Sequence, residues 1–192
     1  MTETTPDRRT AIADAAISVL ATGGMRGFTH RAVDRTAGLS EGSTSYYFRT
    51  RLALLHATLA RMAELDTEDI GELPDFAGPV DRDALAELLT SLALRWLTEA
   101  RERTLARYEL TLEATRRPDL RAEMSRFGAG FRLLAVRMLE DMDKAEARRR
   151  GLALVASFDG LVLHQIADVG ASSLDEAELR ASCRDMLDTA LC

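Results

Sequence analysis

The chain has little of what interrupts helices, cross-links a fold or spans a membrane. It contains two cysteines, four prolines and only 5% aromatic residues in 192 residues. Two cysteines do not make a disulfide framework, and four prolines leave long segments free to form helices. No apolar run approaches the ~20 residues that cross a bilayer, and the polar N-terminus lacks the apolar stretch of a signal peptide. We expect a cytoplasmic protein with no membrane partner.

Residues that carry catalysis are also scarce. The three histidines, His30, His56 and His164, are scattered along the chain without metal-ligand spacing. The sequence contains no nucleophile-elbow motif and no glycine loop of the kind that holds phosphates. We therefore expect a protein that is not an enzyme and that has no cofactor and no metal.

Apolar residues nevertheless make up 46% of the chain, so mainly alanine and leucine must fill the interior, as in helical proteins. Apolar positions recur at steps of three and four along most of the sequence, which predicts amphipathic helices and an all-α fold. A proline- and glycine-bearing stretch within 66–82 predicts a loop. We place the domain seam beside it, with one domain over 1–65 and a second over 66–192.

The segment Thr29–Leu55 is the most informative part of the chain. Thr29 is placed to cap a short helix, and Gly38 stands where that helix must end. Ser40 is placed to cap a second helix, expected over Glu41–Tyr47, and an aromatic cluster follows it. Two short helices joined by a tight turn form a helix-turn-helix, which presents its second helix to the major groove of DNA. An ordinary helical hairpin is the competing interpretation.

The charge distribution favours DNA. Residues 26–61 contain six arginines against Asp34 and Glu41, whereas the whole chain has a net charge of −6. A basic segment in an otherwise acidic protein is a localised electrostatic footprint, and the acidity elsewhere limits non-specific binding.

The motif resembles the DNA-binding domain of TetR/AcrR-type transcriptional repressors. The resemblance covers about a third of the chain, roughly 10–65, and is carried by Phe28-Thr29, Val33, Ala37-Gly38-Leu39-Ser40, Gly42, Tyr46-Tyr47-Phe48, Arg51 and Leu54-Leu55. Two positions depart from the family, since Ser45 replaces a usual aromatic residue and Arg51 a usual lysine. The resemblance implies an N-terminal three-helix DNA-binding domain, followed by a C-terminal helical domain for ligand binding and dimerisation.

The expected DNA contacts divide into two groups. Thr29, Tyr47 and Arg51 are candidates for phosphate, because the first begins a helix and the others flank the end of the reading helix. Small or polar side chains let the second helix approach base edges. The base-reading candidates that the resemblance implies are Arg31 with Ser43, Thr44, Ser45 and Tyr46, and Gly42 is expected at the DNA as one of the small residues. Glu41 either accepts from a cytosine amino group or points away, and Tyr47 could instead pack against Phe48.

Before the motif, the sequence predicts a helix over 8–21 that Gly23-Gly24 ends. After it, Thr50 is placed to cap a helix that runs to about residue 65, with Leu52, Leu55, Leu59 and Met62 on its buried face.

The remaining sequence predicts helices over 83–99, 103–116, 118–138, 151–169 and 174–191. The segment 151–169 is apolar nearly all round, which predicts burial on several sides. It could be the centre of a monomeric core. The resemblance implies instead that the last two helices form a four-helix dimer interface, and a two-fold dimer would read two half-sites of an inverted repeat.

Most aromatic residues outside the motif lie on these later helices. They could simply be core, or they could line an apolar site between helices for a small, mostly apolar or aromatic effector. The ligand-binding candidates are Trp96, Tyr108, Phe127, Phe131, Phe158 and His164. Asp159 and His164 interrupt an apolar helix, and either pair structurally or anchor a ligand.

The sequence therefore favours a ligand-responsive repressor that leaves its operator, a double-stranded DNA site, when a small molecule binds. The alternative is a DNA-binding protein of the same fold that a protein partner controls. A purely structural helical dimer, which would bind no DNA, is the third possibility.

Overall fold

The computed structural model describes residues 7–71, 81–142, 145–167 and 173–192. These residues form ten α-helices and no strand, as the apolar periodicity predicts. None of these helices is both long and apolar enough to cross a bilayer. The helices are α1 (Arg8–Gly27), α2 (His30–Thr36), α3 (Ser43–Tyr47), α4 (Arg51–Gly71), α5 (Arg82–Leu97), α6 (Arg101–Ala114), α7 (Pro118–Phe127), α8 (Ala129–Asp141), α9 (Ala147–Ala167) and α10 (Glu176–Leu191).

The helices belong to two compact units. The first unit contains α1 to α4 as far as Ile70, together with Glu102–Phe127. The second unit contains Gly71–Arg101 and Gly128–Cys192. The units therefore divide the chain differently from a single seam near residue 65, because most of α6 and all of α7 pack with the first four helices. The expected domain boundary stays a prediction.

The first unit is built around Phe28, which is fully buried. Ile12, Leu20 and Leu54 are also buried, each with at most 1% of its surface exposed. Residues of α6 and α7 belong to the same core. Burial of the apolar face of α4 is confirmed at Leu55, Leu59 and Met62. The prediction was wrong at Leu52, which is 45% exposed because the first turn of α4 turns Leu54, and not Leu52, toward the core.

Two glycines change the expected helix boundaries in the first unit. α1 does not end at Gly23, because Gly24 takes a left-handed φ of 57° that bends the chain and lets helical turns resume as far as Gly27. The second helix of the motif begins at Ser43, not at Glu41, because Gly42 has a φ of 93° and is its N-cap. The Ser40 side chain therefore does not cap this helix. It bonds to the Ser43 hydroxyl at 3.0 Å.

The remaining boundaries differ for identifiable reasons. Thr50 caps α4 as predicted, accepting from the N–H of Ala53 at 3.0 Å, but the helix continues beyond residue 65 to Gly71. The rest of the expected loop, residues 72–80, lies outside the described residues. The helix expected over 118–138 is two helices, since Gly128 separates α7 from α8. α10 begins at Glu176 with a capping box made by Asp175 and Glu178.

In the second unit, α10 packs on α5 and α9, and α8 packs on α9. The contact between α8 and α9 requires a glycine. A Cβ added at Gly151 would lie 2.9 Å from the backbone nitrogen of Val136, closer than real side chains approach. Leu139, Leu154 and Leu187 lie in the core between these helices.

Within the described residues 151–167, the expectation of burial on several sides was wrong for the single chain. One face of α9 is buried, including Leu154, Phe158 and Val162. The opposite face is exposed and carries apolar or small residues, with Leu152 36% and Leu163 45% exposed. An apolar helix can bury one face in its own unit and leave another available.

Candidate DNA interface

The turn of the motif forms as its capping residues predict. The Thr29 hydroxyl oxygen accepts from the N–H of Ala32 at 3.2 Å, which caps α2. Gly38 has a φ of 65°, so the left-handed position after α2 is occupied by the residue that adopts it without strain. Phe48, at the end of α3, is tied to α2 because its carbonyl oxygen lies 2.6 Å from Nε2 of His30.

Asp34 holds the two helices of the motif together, a role that its sequence position does not reveal. Its side chain is 2% exposed. One carboxylate oxygen accepts from the N–H of Thr44 at 2.7 Å, and the other from the N–H of Gly42 at 2.8 Å. Burial alone raises the pKa of this carboxyl, but the hydrogen bonds from Thr44 and Gly42 and the nearby His30 outweigh it and hold the pKa below its ordinary value. The charged form is therefore favoured.

The surface of α3 presents small and polar groups. Ser45 and Tyr46 are exposed, Ser43 is half-buried, and Tyr46 keeps 80% of its surface. Beside them, Nε of Arg31 lies 3.5 Å from a carboxylate oxygen of Glu41, with both side chains largely exposed. Glu41 therefore points along the same surface toward Arg31. Of the expected base-reading residues, Arg31, Ser45 and Tyr46 are thus exposed and Ser43 is half-buried, with exposed Glu41 and Gly42 beside them.

The structure differs from the expectation at Thr44. Its side chain is fully buried, because it lies on the inner face of α3 where its N–H meets Asp34. Thr44 therefore fixes the position of α3 and does not present its side chain at the surface. Tyr47 is half-buried and lies edge-on to Tyr46, with ring centroids 5.2 Å apart.

Arg51 has intramolecular partners that the sequence did not suggest. Its guanidinium donates to the carbonyl oxygens of Met25 and of Phe28, the latter at 2.9 Å. It also lies 5.9 Å from the centre of the Phe28 ring. The side chain therefore holds the segment between α1 and α2, whether or not its remaining N–H groups meet a phosphate.

Two basic residues at the start of α1 were missed. The guanidinium of Arg9 lies 5.1 Å from the centre of the Phe48 ring and 5.8 Å from that of Tyr47. Arg8 borders the same groove as Ser40, Ser43 and Tyr46. The charge count over 26–61 could not include them, because only the fold brings the start of α1 beside α3.

The second unit contains four of the six residues expected to bind a ligand, and three of them have rings in contact. The ring of Trp96 on α5 meets Phe131 of α8 and Phe158 of α9 edge-on, with centroids 5.3 and 5.5 Å apart. Trp96 and Phe158 are buried, whereas Phe131 is half-buried. We call these three residues the ring cluster. His164 lies on α9 but is exposed.

Tyr108 and Phe127 belong to the first unit and not to the ring cluster's unit. Phe127 packs against the core of the first unit. Tyr108 has the Arg107 guanidinium 5.7 Å from its ring centre. Tyr108 and Phe127 thus have packing roles in the first unit, while their part in a ligand site stays a prediction.

A buried ionic cluster joins α4 to α6 in the first unit. Nε of Arg103 lies 3.0 Å from a carboxylate oxygen of Asp66, and the same guanidinium pairs with Asp69. Arg107 lies 3.7 Å from the other Asp66 oxygen. Burial raises the pKa of Asp66 to about 6, because it outweighs the attraction of the two arginines. The spacing of three between the aspartates and four between the arginines places each pair on one helix face, a signal that the sequence carried.

Similarity to known proteins agrees with this architecture. A family model described as "Bacterial regulatory proteins, tetR family" matches residues 12–58, and one described as "Tetracyclin repressor-like, C-terminal domain" matches residues 80–191. The HTH-type transcriptional regulator BetI of Rhizobium meliloti is 29% identical over 164 residues, 83% of this chain and 78% of that protein.

Solved structures show the same likeness. A TetR-family member from Streptomyces coelicolor, SCO1917, is 31% identical with a TM-score of 0.73, and the match covers 94% of this chain and 98% of that one. The multidrug binding protein EbrR, solved with ethidium, is 30% identical with a TM-score of 0.71 over the same shares of the two chains.

The fold and the capped turn with its exposed reading helix define a helix-turn-helix DNA-binding protein. Both parts of the chain match models of one regulator family. The chain belongs to the TetR family of transcriptional regulators.

Proposed function

We propose that this protein is a homodimeric, cytoplasmic repressor that binds an inverted-repeat operator and leaves it when a small effector binds the second unit. The observation that carries the proposal is the exposed face of α3, presented by a turn whose caps and buried Asp34 fix it. Ser43, Ser45 and Tyr46 are the base-reading residues, together with Arg31 and Glu41, and Thr29 and Tyr47 meet phosphates.

Dimerisation is part of this proposal because one five-residue helix reads too few bases to specify a site. The exposed face of α9 supports it. Leu152, Ala156, Gly160 and Leu163 follow one another at steps of four, four and three, which places them on one helix face. A second copy would cover this stripe, and the two-fold symmetry would repeat α3 along the duplex.

The ring cluster supports an aromatic effector. EbrR, whose sequence is 30% identical, is a multidrug binding protein solved with proflavin, ethidium and malachite green. Flat aromatic molecules stack or meet edge-on with aromatic side chains. Phe131 is the half-buried member of the ring cluster and is therefore the ring that a ligand would reach first.

Release from DNA requires only that the effector bind two states of the dimer with different affinity. α6 is suited to link the units, because it begins at Arg101 in the second and continues from Glu102 in the first. A change in α6 would act on α4 through the ionic cluster of Arg103 and Asp66, and so on the spacing of the two reading helices.

The proposal is tested with fragments of the protein's own promoter, labelled with a fluorophore and titrated in an anisotropy assay. We expect tight binding to one fragment, weakening steeply with salt because arginine–phosphate contacts release counterions. Tyr46→Ala should change the preferred bases, while Leu112→Ala, which truncates an exposed leucine outside the motif, should change nothing. Equal affinity for promoter and random DNA at near-physiological salt would contradict specific repression. An operator complex that no small molecule releases, but a protein from the same cell does, would favour control by a protein partner.

A further inference from the structure

The bend in α1 frees a backbone N–H group, and a side chain distant in sequence accepts a hydrogen bond from it. Gly24, at a φ of 57° and a ψ of −167°, interrupts the helical hydrogen-bond pattern. The N–H of the next residue, Met25, donates to a carboxylate oxygen of Glu109 on α6 at 2.9 Å. Met25 is buried, so water does not compete freely for this group.

The carboxylate of Glu109 occupies the place where a side chain at position 24 would lie. A Cβ built on Gly24 would be 2.8 Å from the Glu109 oxygen and 3.1 Å from its carboxyl carbon. The positive φ of Gly24 favours glycine, and a Cβ there would make the Glu109 carboxylate shift from its present position.

The other side of the same segment is held by Arg51. Its guanidinium donates to the carbonyl oxygens of Met25 and Phe28. Met25 is thus fixed at its N–H by α6 and at its carbonyl by α4. Thr29, the N-cap of α2, follows Phe28 directly, so the segment sets where α2 starts.

We propose that Glu109 is a positioning residue for DNA binding, which acts through residues 24–28 and Arg51 on the start of α2. This inference rests on the proposed operator binding. Glu109 itself lies on α6 and outside the reading face. Its carboxylate holds the bend at Gly24. The bend and Arg51 together hold residues 25–28, and these residues position the start of α2, where Thr29 and Arg31 lie. A small misplacement of a reading helix weakens many contacts at once.

The first experiment separates the effect of the length of the Glu109 side chain from the effect of its charge. Glu109→Gln keeps an acceptor oxygen at the same distance and loses the charge, whereas Glu109→Asp keeps the charge and shortens the side chain. We expect operator affinity to be roughly tenfold weaker for Glu109→Asp, because the N–H of Met25 loses its acceptor. We expect the affinity of Glu109→Gln to be close to that of the native protein. Amide exchange at Met25, followed by NMR, should accelerate in Glu109→Asp only.

Glu102→Asp is the matched control, because it makes the same replacement on the same helix. Glu102 lies on the same helix and accepts from the Ser18 hydroxyl of α1 at 2.5 Å, but it does not touch residues 24–28. Its replacement should leave operator affinity unchanged. Equal weakening by Glu102→Asp and Glu109→Asp would show only a general loosening of α6 and would overturn the proposal.

A double-mutant cycle tests the role of Arg51. If Glu109 acts through the segment that Arg51 holds, Glu109→Asp should cost little further affinity in an Arg51→Ala background. Fully additive losses would mean that Arg51 acts on phosphate independently of Glu109. If the native protein bound its operator and Glu109→Asp bound equally well, the inference would fail while the repressor proposal stood. A native protein that bound no operator would instead remove the proposed function.

Discussion

The carboxylate of Asp34 accepts a 2.7 Å hydrogen bond from the backbone N–H of Thr44, ten residues later and on the next helix of the motif. α3 has only five residues and its N-cap glycine offers no side-chain acceptor. Among the N–H groups at its start, those of Gly42 and Thr44 donate to Asp34 of α2, whereas that of Ser43 donates to the carbonyl oxygen of Ser40 at 3.1 Å. The bond between Thr44 and Asp34 fixes the angle between the two helices, and with it the direction of the reading face.

Replacing Asp34 should thus affect both folding and DNA binding. In Asp34→Ala the N–H groups of Gly42 and Thr44 lose their acceptor, and we expect the free energy of unfolding to fall by about 1–3 kcal/mol. Operator affinity should fall as well, even at temperatures where the chain stays folded. Urea denaturation followed by circular dichroism measures the first effect, and operator anisotropy the second.

Asp119→Asn is the control for Asp34, because it removes the same charge from a half-exposed site on α7. It should change neither quantity appreciably. If Asp34→Ala bound the operator as tightly as the native protein, the direction of α3 would not depend on this carboxylate.

The dimer prediction uses leucines on the last two helices. Leu163, on the exposed face of α9, should give monomers when replaced by glutamate, because a charge would enter an apolar interface at a cost of several kcal/mol. Leu187 is fully buried within its own unit, so Leu187→Glu should unfold the chain instead. Position 187 is therefore unsuitable for testing the interface.

Sedimentation velocity and circular dichroism distinguish these results. Leu163→Glu should sediment as a helical monomer with little operator binding. Leu112→Glu, which adds the same charge at a leucine 60% exposed on α6, should remain dimeric. A native protein that is monomeric at micromolar concentration would refute the dimer proposal outright.

The ionic cluster predicts a pH dependence of stability. The pKa of Asp66 is raised from 3.8 to about 6, so between those values the folded chain binds more protons than the unfolded chain. Stability contributed by this group is therefore greatest at low pH and declines as the pH rises toward 6, by roughly 1–3 kcal/mol. The groups that face it are Asp69, Arg103 and Arg107.

Asp66→Asn cannot titrate and should remove this decline. The measurement is the free energy of unfolding in urea at several pH values between 4 and 6, at constant protein concentration. The diagnostic quantity is the slope of the unfolding free energy against pH. The absolute stability is not diagnostic, since the asparagine also leaves Arg103 and Arg107 with less negative charge beside them. Equal slopes in the two proteins would mean that Asp66 stays ionised throughout.

The sequence of the motif predicted those features that depend on a few neighbouring residues. Thr29 and Gly38 were identifiable because capping and left-handed φ each depend on one residue and its neighbours. Asp34 was not, since its partners are ten residues away and its sequence position resembles a solvated charge. Gly24 looked like a helix end, because the sequence does not show that Glu109 supports a bend there.

The same distinction explains the longer helices. α4 was expected to end where the polar residues after Leu65 begin, yet Asp66 and Asp69 continue its buried face because Arg103 and Arg107 neutralise them. The sequence shows that α9 is apolar on most of its surface. It does not show which of these apolar faces packs inside the second unit and which stays exposed. Trp96 and Phe131, both ligand candidates from the sequence, meet ring to ring, whereas Tyr108 and Phe127 lie in the other unit.

The effector prediction concerns Trp96, the only tryptophan of the chain. Because its ring lies 5.3 Å from that of Phe131, an aromatic molecule that reaches Phe131 should change its emission. Malachite green is the preferred probe, since ethidium and proflavin intercalate into DNA and would disturb the operator directly. Quenching of Trp96 and release of labelled operator should occur over the same range of probe concentration.

Phe131→Ala should weaken both responses roughly fivefold through loss of an edge-to-face ring contact, while binding to the operator without probe stays intact. Leu134→Ala shortens a neighbouring side chain of α8 that is 51% exposed and should respond like the native protein. Operator release with unchanged Trp96 emission, and with a normal response in Phe131→Ala, would place the effector elsewhere than the ring cluster. Quenching without release would instead show that a molecule can occupy the ring cluster and still bind both states of the dimer equally, which is insufficient for a switch.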